Sequence, residues 1–155
     1  MNDHDDNGLQ FCTFRLGELY LGIDVTDVQE VLYQADVTWV PHAEAAVRGL
    51  INLRGQIATT IDLRTRLGLE SVNDDVRQTH VVIGHAGEAI SLLIDAVDDV
   101  LTVDASQFAP PPATLSGPAR DLILGAYKLE KELLMILDVR RALQVKNATS
   151  EGVTV

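Results

Sequence analysis

The sequence of 155 residues has a single cysteine, few basic residues and no long apolar run. The cysteine, Cys12, has no partner for an intrachain disulfide, which favours a reducing compartment. It lies in a segment of alternating apolar residues. We therefore expect Cys12 to be a small buried core residue rather than a reactive thiol.

Lysine and arginine are scarce, with 12 of them against 23 aspartates and glutamates, so the formal net charge is -11. Arg77 is the one basic residue between Leu67 and Ala119, histidines aside. Proteins bind nucleic-acid backbones through clustered lysines and arginines, so this composition argues against a nucleic-acid ligand. A protein partner fits the charge better.

No apolar run approaches the roughly 20 residues that cross a bilayer, so direct membrane insertion is not expected. Residues 1–8 are acidic and lack the basic and apolar regions of a signal peptide. We therefore expect a cytoplasmic protein. The length fits one domain, which we place at residues 10–145, between flexible tails at residues 1–9 and 146–155.

Signatures of catalysis and of metal binding are missing. The phosphate loop, the dinucleotide-binding glycine pattern and the nucleophile elbow do not occur. The four histidines do not cluster, and the spacing of His80 and His85 points them to opposite faces of a strand. We predict no catalytic residue, no cofactor and no metal site. One alternative stays open, a hard cation held by the carboxylates of Asp95, Asp98 and Asp99.

An internal repeat is the strongest positive signal. Residues 49–69 recur in outline at residues 125–143, with five positions kept at the same spacing: Gly49, Leu53, Asp62, Arg64 and Leu67, then Gly125, Leu129, Asp138, Arg140 and Leu143. An earlier pair, residues 19–27 and 90–98, aligns as well. Two degenerate copies indicate a pseudo-symmetric fold rather than a solenoid.

Short runs rich in valine, isoleucine, leucine and threonine predict about ten strands. We place them at residues 10–16, 19–23, 50–53, 56–62, 79–83, 88–94 and 100–103, and in a hairpin over residues 123–137 that turns near residues 130–131. Two-residue turns at 17–18 and 54–55 join two of the earlier pairs. Residues 25–32 fit a helical turn or a strand.

Helical structure is predicted to be short. Asp62 and Asp138 each cap a helical turn that follows a strand, residues 43–48 fit one short helix, and the proline-rich residues 104–122 fit an extended loop. The whole pattern favours an all-β fold of two small antiparallel barrels, because barrel closure removes exposed strand edges.

Several short motifs follow one another from about residue 11 to residue 145. They are Glu18, Tyr20, Ile23 and Val25; Val28-Gln-Glu-Val31; Val40-Pro41; Gly49-Leu-Ile-Asn-Leu-Arg-Gly55; Ile61-Asp-Leu-Arg64; Ile94-Asp95, Val97 and Val100; Pro110-Pro-Pro112; and Leu137-Asp138. In this order they resemble the CheW-like domain of bacterial chemotaxis coupling proteins. The combination of Asn-Leu-Arg-Gly with Ile-Asp-Leu-Arg is the specific part of the match.

The resemblance implies an all-β fold of two intertwined five-stranded SH3-like barrels with a few short helices. It also implies a non-enzymatic adaptor that couples chemoreceptors, the methyl-accepting chemotaxis proteins, to the histidine kinase CheA in chemotaxis signal transduction. Its partners would be the cytoplasmic tip of the receptor and the regulatory domain of the kinase, at membrane-bound receptor arrays. Alternatives are an adaptor of another chemosensory-type pathway, a detached kinase regulatory module, or a small metal- or ligand-binding barrel.

The resemblance further implies site residues. The receptor-binding positions would be Val25, Val28, Val31, Gly49, Val97 and Val100. An ion pair between Glu30 and Arg54 would steady the receptor-facing surface. We expect about half of the valines to be buried, since β-branched residues are equally common inside a barrel. Thr59 departs from the family, which usually has proline there, and this loosens a local constraint outside the receptor groove.

Overall fold

The computed structural model describes residues 8–41, 45–70 and 79–144. These residues form eleven strands and three short helices. The strands are β1 (Gly8–Leu16), β2 (Leu19–Asp24), β3 (Val28–Leu32), β4 (Val47–Leu53), β5 (Gln56–Asp62), β6 (Thr79–His85), β7 (Glu88–Ile94), β8 (Ala96–Asp104), β9 (Phe108–Ala109), β10 (Ile123–Lys128) and β11 (Leu133–Leu137). The helices are α1 (Leu63–Arg66), α2 (Pro118–Leu122) and α3 (Val139–Ala142), and 3₁₀ turns occupy Val25–Asp27 and Ala105–Gln107.

The strands form two sheets that exchange strands between the two halves of the chain. The first sheet has the order β8-β1-β2-β11-β10-β9, and the second has the order β3-β6-β7-β5-β4. Each sheet therefore combines the first hairpin of one half with the later strands of the other half. β2 joins β11, and β7 joins β5, through parallel pairing. The predicted all-β fold of intertwined SH3-like barrels is confirmed, with the two-residue β9 as an extra sixth strand in the first sheet.

The repeat predicted from residues 49–69 and 125–143 recurs in the backbone. The register of β4 shifts between Val47 and Gly49, and the register of β10 shifts at the matching place, next to Gly125. The Asp62 amide donates to the carbonyl of Ala46 at 2.7 Å, and the Asp138 amide donates to that of Leu122 at 2.8 Å. The two halves thus close their barrels in the same way.

The earlier repeat, residues 19–27 against 90–98, was aligned two residues out of register. Leu21 pairs with Met135, and Ile90 pairs with Thr59. Because Met135 and Thr59 occupy matching positions in the confirmed repeat, the counterpart of Ile90 is Leu21 rather than Leu19. Side chains alternate with a period of two along a strand, so a shift of two residues leaves the apolar pattern unchanged.

Local turn signals predicted the hairpins well. Arg54 and Gly55 both have positive φ, 53° and 90°, and join β4 to β5 in a two-residue turn. A positive φ at both central positions is the type I′ geometry that matches the twist of a hairpin. Asp62 caps α1 by accepting from the Arg64 amide at 3.0 Å, and Asp138 caps α3 by accepting from the Arg141 amide at 3.2 Å.

Four segments differ from the prediction or refine it. Residues 25–32 contain both a 3₁₀ turn and a strand, and the predicted strand at residues 100–103 is part of the longer β8. The predicted helix at residues 43–48 is wrong over its last part, because β4 begins at Val47; residues 42–44 lie outside the described residues. The loop at residues 104–122 also contains α2, which starts with Pro118 at its first position, where the missing amide costs nothing.

Apolar side chains from both sheets share one main core. Phe14 and Leu21 of the first sheet are fully buried in the same cluster as Ile61 and Leu92 of the second. In the described part of the chain, no helix is long and apolar enough to cross a membrane. The predicted tails lie outside the described residues, except that Gly8 and the next residue begin β1.

Cys12 is buried, at 6% exposure, as predicted, and burial raises the pKa of its thiol. Because the thiolate is the reactive form, we expect a soluble disulfide reagent to label the folded protein at pH 7.5 at least about tenfold more slowly than the urea-unfolded chain. Labelling at equal rates in the two states would contradict the buried position. A Cys12→Ser variant supplies the unlabelled baseline.

Candidate functional site

The end strands β3 and β8 occupy matching places in the two sheets and carry the predicted receptor-binding valines. In the second sheet, Val28 of β3 lies opposite Ile83 of β6. In the first sheet, Val97 of β8 lies opposite Phe14 of β1. Ile83 and Phe14 are counterparts in their hairpins, so Val28 and Val97 are counterparts as well.

A second pair of valines follows the same rule. Val31 lies opposite Val81 on β6, and Val100 lies opposite Cys12 on β1. Between the first and the second valine, both end strands contain a register shift. A bulge of this kind bends a strand and redirects its side chains. The four valines therefore form two pseudo-symmetric pairs, each beside a bulge in an end strand.

The valines at the candidate site are more accessible than the sequence predicted. Val25, Val28, Val31 and Val97 are partly buried, and Val100 is 53% exposed. The expectation that half of them would be buried is wrong, because an end strand has a neighbour on one side only. Val28 and Val97 also pack against the main core, which fixes their positions while part of each side chain faces outward.

Val25 lies in a groove that joins the two halves of the chain. The 3₁₀ turn that carries it begins after Asp24, whose carboxylate accepts from the Thr26 amide at 2.9 Å and from the Thr26 hydroxyl at 2.8 Å. The same groove is bordered by the start of β1 and by Thr102 of β8. The structure therefore brings Val25 from the first half next to the end strand of the second half.

Side chains of the first sheet hold the bulge of β8, a feature that the sequence analysis missed. The Thr13 hydroxyl donates to the carbonyl of Asp99, and the Tyr20 hydroxyl donates to the Thr13 oxygen at 3.1 Å. Arg15 lies 3.6 Å from the Asp98 carboxylate. These contacts link the bulge to β1 and β2. The residues that make these contacts are far apart in sequence, so no local sequence pattern predicts the contacts.

Asp95 anchors the corner where β7 passes into β8. Its two carboxylate oxygens accept from Arg64, at 2.9 Å from Nε and 2.6 Å from Nη2, and the Gly17 amide donates to Oδ2 at 2.9 Å. The hydrogen bonds to Asp95 raise the pKa of Arg64 above its ordinary value. The Asp95 carboxylate thus connects the β1–β2 turn and α1 to the start of the end strand β8.

The same contacts weaken the hypothesis of a cation site at Asp95, Asp98 and Asp99. Asp95 is already engaged by a guanidinium, and Asp98 lies beside Arg15. Among the described residues, no group of three or more potential ligands is placed to hold a metal ion.

Two of the four histidines lie in the described part of the chain. His80 is fully buried, with Nδ1 2.8 Å from the Ser91 hydroxyl, whereas His85 is exposed. Their predicted positions on opposite faces of a strand are confirmed.

Glu30 and Arg54 are in contact across the second sheet. The Arg54 Nη2 atom lies 2.5 Å from Glu30 Oε2, and Nη1 lies 3.4 Å from Oε1. Glu30 belongs to the end strand β3, next to the candidate valines. The contact exists as predicted, and its role in steadying a binding surface stays a prediction.

Replacing Arg54 with alanine is expected to lower the free energy of unfolding by less than about 1 kcal/mol, because an exposed ion pair contributes little. The Arg54 side chain is 75% exposed and that of Glu30 is 25% exposed. Alanine has a β-carbon, as arginine does, so both residues bear the same strain at this positive φ, and the comparison isolates the ion pair. Urea unfolding measures the difference, and a loss above about 2 kcal/mol would show that the pair is structural.

The comparisons with known proteins point to one family. The family model described as the CheW-like domain matches residues 10–147. The chain belongs to the CheW-like family. The predicted family is confirmed, and relatives named as chemotaxis and scaffolding proteins carry with it the predicted role of a chemotaxis adaptor.

The chain is 30% identical over 134 residues to chemotaxis protein CheW of Rhizobium meliloti, covering 86% of both chains. It is 30% identical over 136 residues to chemotaxis protein CheW of Klebsiella aerogenes, covering 88% of this chain and 82% of the relative. The crystal structure of the scaffolding protein TtCheW from Thermoanaerobacter tengcongensis is similar with a TM-score of 0.78 and 27% identity, covering 88% of this chain and 93% of that one.

Gly49 has a packing role in this CheW-like fold that the sequence analysis did not foresee. Its φ is 153°, and a β-carbon there would collide with the carbonyl oxygen of Thr38 and lie 2.8 Å from Val37 Cγ1. Thr38 and Leu50 exchange backbone hydrogen bonds of 2.7 and 2.8 Å directly beside it. A β-carbon on Gly125 would likewise lie 2.5 Å from the carbonyl oxygen of Ala109, in the matching segment. The glycine is therefore needed inside the fold, and its receptor-binding role stays a prediction.

Thr59, the departure from the CheW-like pattern, lies within β5. It pairs with Leu50 on one side and with Ile90 on the other. Two strands, β6 and β7, separate β5 from the end strand β3. The substitution is thus remote from the valines of that strand.

Proposed function

We propose that this CheW-like chain is a non-enzymatic scaffold that binds the cytoplasmic tip of a chemoreceptor and the regulatory domain of a CheA-type histidine kinase. The observation that carries the proposal is the pseudo-symmetric placement of Val28 and Val31 on β3, and of Val97 and Val100 on β8. Accessible β-branched side chains on two end strands supply apolar contact area for a protein partner.

The receptor surface of the proposal comprises Val25 and the four valines of the end strands. Its partners in the receptor would be apolar side chains of a helical hairpin, since an apolar helix face packs against apolar positions of this kind. The ion pair between Glu30 and Arg54 would hold β3 against the β4–β5 turn during binding. Gly49 would contribute by letting the segment at Thr38 pair closely with β4.

The proposed kinase partner needs a separate surface, because an adaptor must bind both proteins at once. The regulatory domain of a CheA-type kinase itself resembles a CheW-like domain. Because the two folds are similar, a surface of one can pack against the corresponding surface of the other. In this proposal the chain works in the cytoplasm, at arrays of membrane-bound receptors.

Bridging can be measured by sedimentation. Membranes that contain a methyl-accepting receptor are mixed with the purified regulatory domain of a CheA-type kinase, with and without this protein. The expected result is that the kinase domain sediments with the membranes only when the protein is present. Sedimentation of the kinase domain to the same extent in its absence would rule out the scaffold role. Membranes without receptor serve as the control.

A further inference from the structure

An apolar pocket adjoins the groove at Val25, since Asp24 lines both. Its volume is about 360 Å³. The residues around it come from the first sheet, the 3₁₀ turn and α3: Phe11, Asp24, Asp27, Phe108, Leu124, Tyr127, Ile136, Leu137, Asp138, Val139 and Arg140. None of the predicted receptor-binding residues is among them.

Most of the residues that line the pocket are aromatic or aliphatic. The rings of Phe11 and Phe108 flank that of Tyr127, with centroid distances of 5.6 and 5.2 Å. Phe108 is 48% exposed and Leu124 is 53% exposed, and burial raises the pKa of Tyr127. Accessible large apolar side chains in a concave surface are typical of a binding site rather than of ordinary protein surface.

The internal repeat shows which ion pairs occupy the matching place in the other half. There, Arg48 forms an ion pair with the buried Asp62 at 2.7 Å. The counterpart of Arg48 is Leu124, one residue before Gly125 just as Arg48 precedes Gly49. The counterpart of Asp62 is Asp138, the cap of α3. Leucine cannot pair with the carboxylate, which lies 3.8 Å from Arg141 Nε instead, so no guanidinium reaches across the pocket from position 124.

A second ion pair at the matching place also has no counterpart around the pocket. Arg64, in the first half, forms an ion pair with Asp95. The counterpart of Arg64 in the second half is Arg140. Asp95 lies two residues before Val97, so its counterpart lies two residues before Val28 and is Thr26. Threonine carries no charge. Among the described residues, the Arg140 side chain has neither an ion pair nor a hydrogen bond.

The rim charges indicate what the pocket binds. Asp24 caps the 3₁₀ turn and Asp27 ends it, and the Asp27 carboxylate has no partner in the described part of the chain. A cation of an occupant is attracted to these two carboxylates. Arg140 also lines the pocket, and its guanidinium has five N–H donors for a backbone carbonyl.

We propose that this pocket is a docking site for a segment of a partner protein that presents a large apolar side chain followed by lysine or arginine. The apolar side chain enters between Phe108 and Leu124. The basic residue lies against Asp24 and Asp27, and Arg140 donates to the backbone of the segment. The site adjoins the groove at Val25, because Asp24 lines both, but none of the receptor-binding valines lines the pocket, so a variant at Leu124 tests this proposal without altering them.

The test uses capped dipeptides as probes and the full chain as the target. N-acetyl-Leu-Arg-amide is titrated into ¹⁵N-labelled protein while amide chemical shifts are recorded. We expect shifts at Leu124, Tyr127 and Arg140, with a dissociation constant on the order of 1 mM. N-acetyl-Leu-Glu-amide and N-acetyl-Gly-Arg-amide are expected to bind at least about fivefold more weakly, since each lacks one of the two recognised groups.

Two variants complete the test. Leu124→Arg restores the residue found at the matching position of the first half, so its guanidinium is expected to pair with Asp138 and weaken the Leu-Arg probe at least about tenfold. Leu133→Arg changes an exposed leucine outside the pocket and is expected to leave binding unchanged. Equal binding of the three probes, shifts at other residues only, or unchanged binding in Leu124→Arg would overturn the proposal.

Discussion

Replacing Gly49 with alanine is expected to lower the free energy of unfolding by about 3 kcal/mol. The new β-carbon would overlap the Thr38 carbonyl, which is backbone and is fixed by its hydrogen bond with Leu50. Relief therefore requires the pairing between Thr38 and Leu50 to open, rather than a side-chain rotation. Urea unfolding followed by circular dichroism measures the change.

Gly55→Ala is the matched control for that result. Gly55 also has a positive φ, 90°, but a β-carbon there meets no atom within 4 Å. Its expected cost is only the backbone strain, about 1 kcal/mol. The difference between the two variants isolates the steric clash. If Gly49→Ala unfolds like Gly55→Ala but loses receptor affinity, the packing role is wrong and the receptor groove explains the glycine.

Features determined by neighbouring residues could be predicted from the sequence. The bounds of β5 and β7 agree with the prediction, and the Arg54-Gly55 turn and the two aspartate caps are present. Each depends on a short-range cause, such as a positive φ at glycine or a carboxylate that accepts from a free amide at a helix start. The repeat was visible because both halves use these local devices at the same spacing.

Pairing between the halves could not be predicted from the residues alone. Apolar alternation shows which face of a strand is buried but not which strand lies beside it. The CheW-like resemblance predicted intertwined barrels, but the particular pairs, β2 with β11 and β5 with β7, come from the structure. The same limitation explains the alignment error at Ile90, where a shift of two residues preserved every buried position.

The polar contacts behind the candidate site depend on that long-range pairing. Arg64 meets Asp95, and Thr13 meets Asp99, across large separations in sequence. Asp95 and Asp99 are two of the three candidate cation ligands in the sequence analysis. Their actual partners become visible only when β8 is placed beside β1 and the corner at Asp95 is placed beside α1. The sequence identified the acidic segment, and the fold assigns its function to holding an end strand.

Receptor affinity is expected to fall about 30-fold, or about 2 kcal/mol, when Val100 is replaced with glutamate. Val100 is 53% exposed on β8, so the folded protein tolerates a charge there. In the proposed complex the carboxylate would be buried against apolar receptor side chains without a partner, which is costly. Titration of a receptor tip fragment by calorimetry measures the affinity, and unfolding in urea is expected to change by less than about 0.5 kcal/mol.

Ile57→Glu is the matched control, because Ile57 is a β-branched residue on a strand with a similar exposure of 58%, yet it lies on β5 rather than on an end strand. It is expected to bind receptor normally. Val31→Glu tests the symmetry, since Val31 occupies on β3 the place that Val100 occupies on β8. A surface formed by both end strands predicts losses in Val31→Glu and Val100→Glu. A loss in Val100→Glu alone would confine the receptor to β8, and equal affinities in Val100→Glu and Ile57→Glu would remove the receptor from this surface altogether.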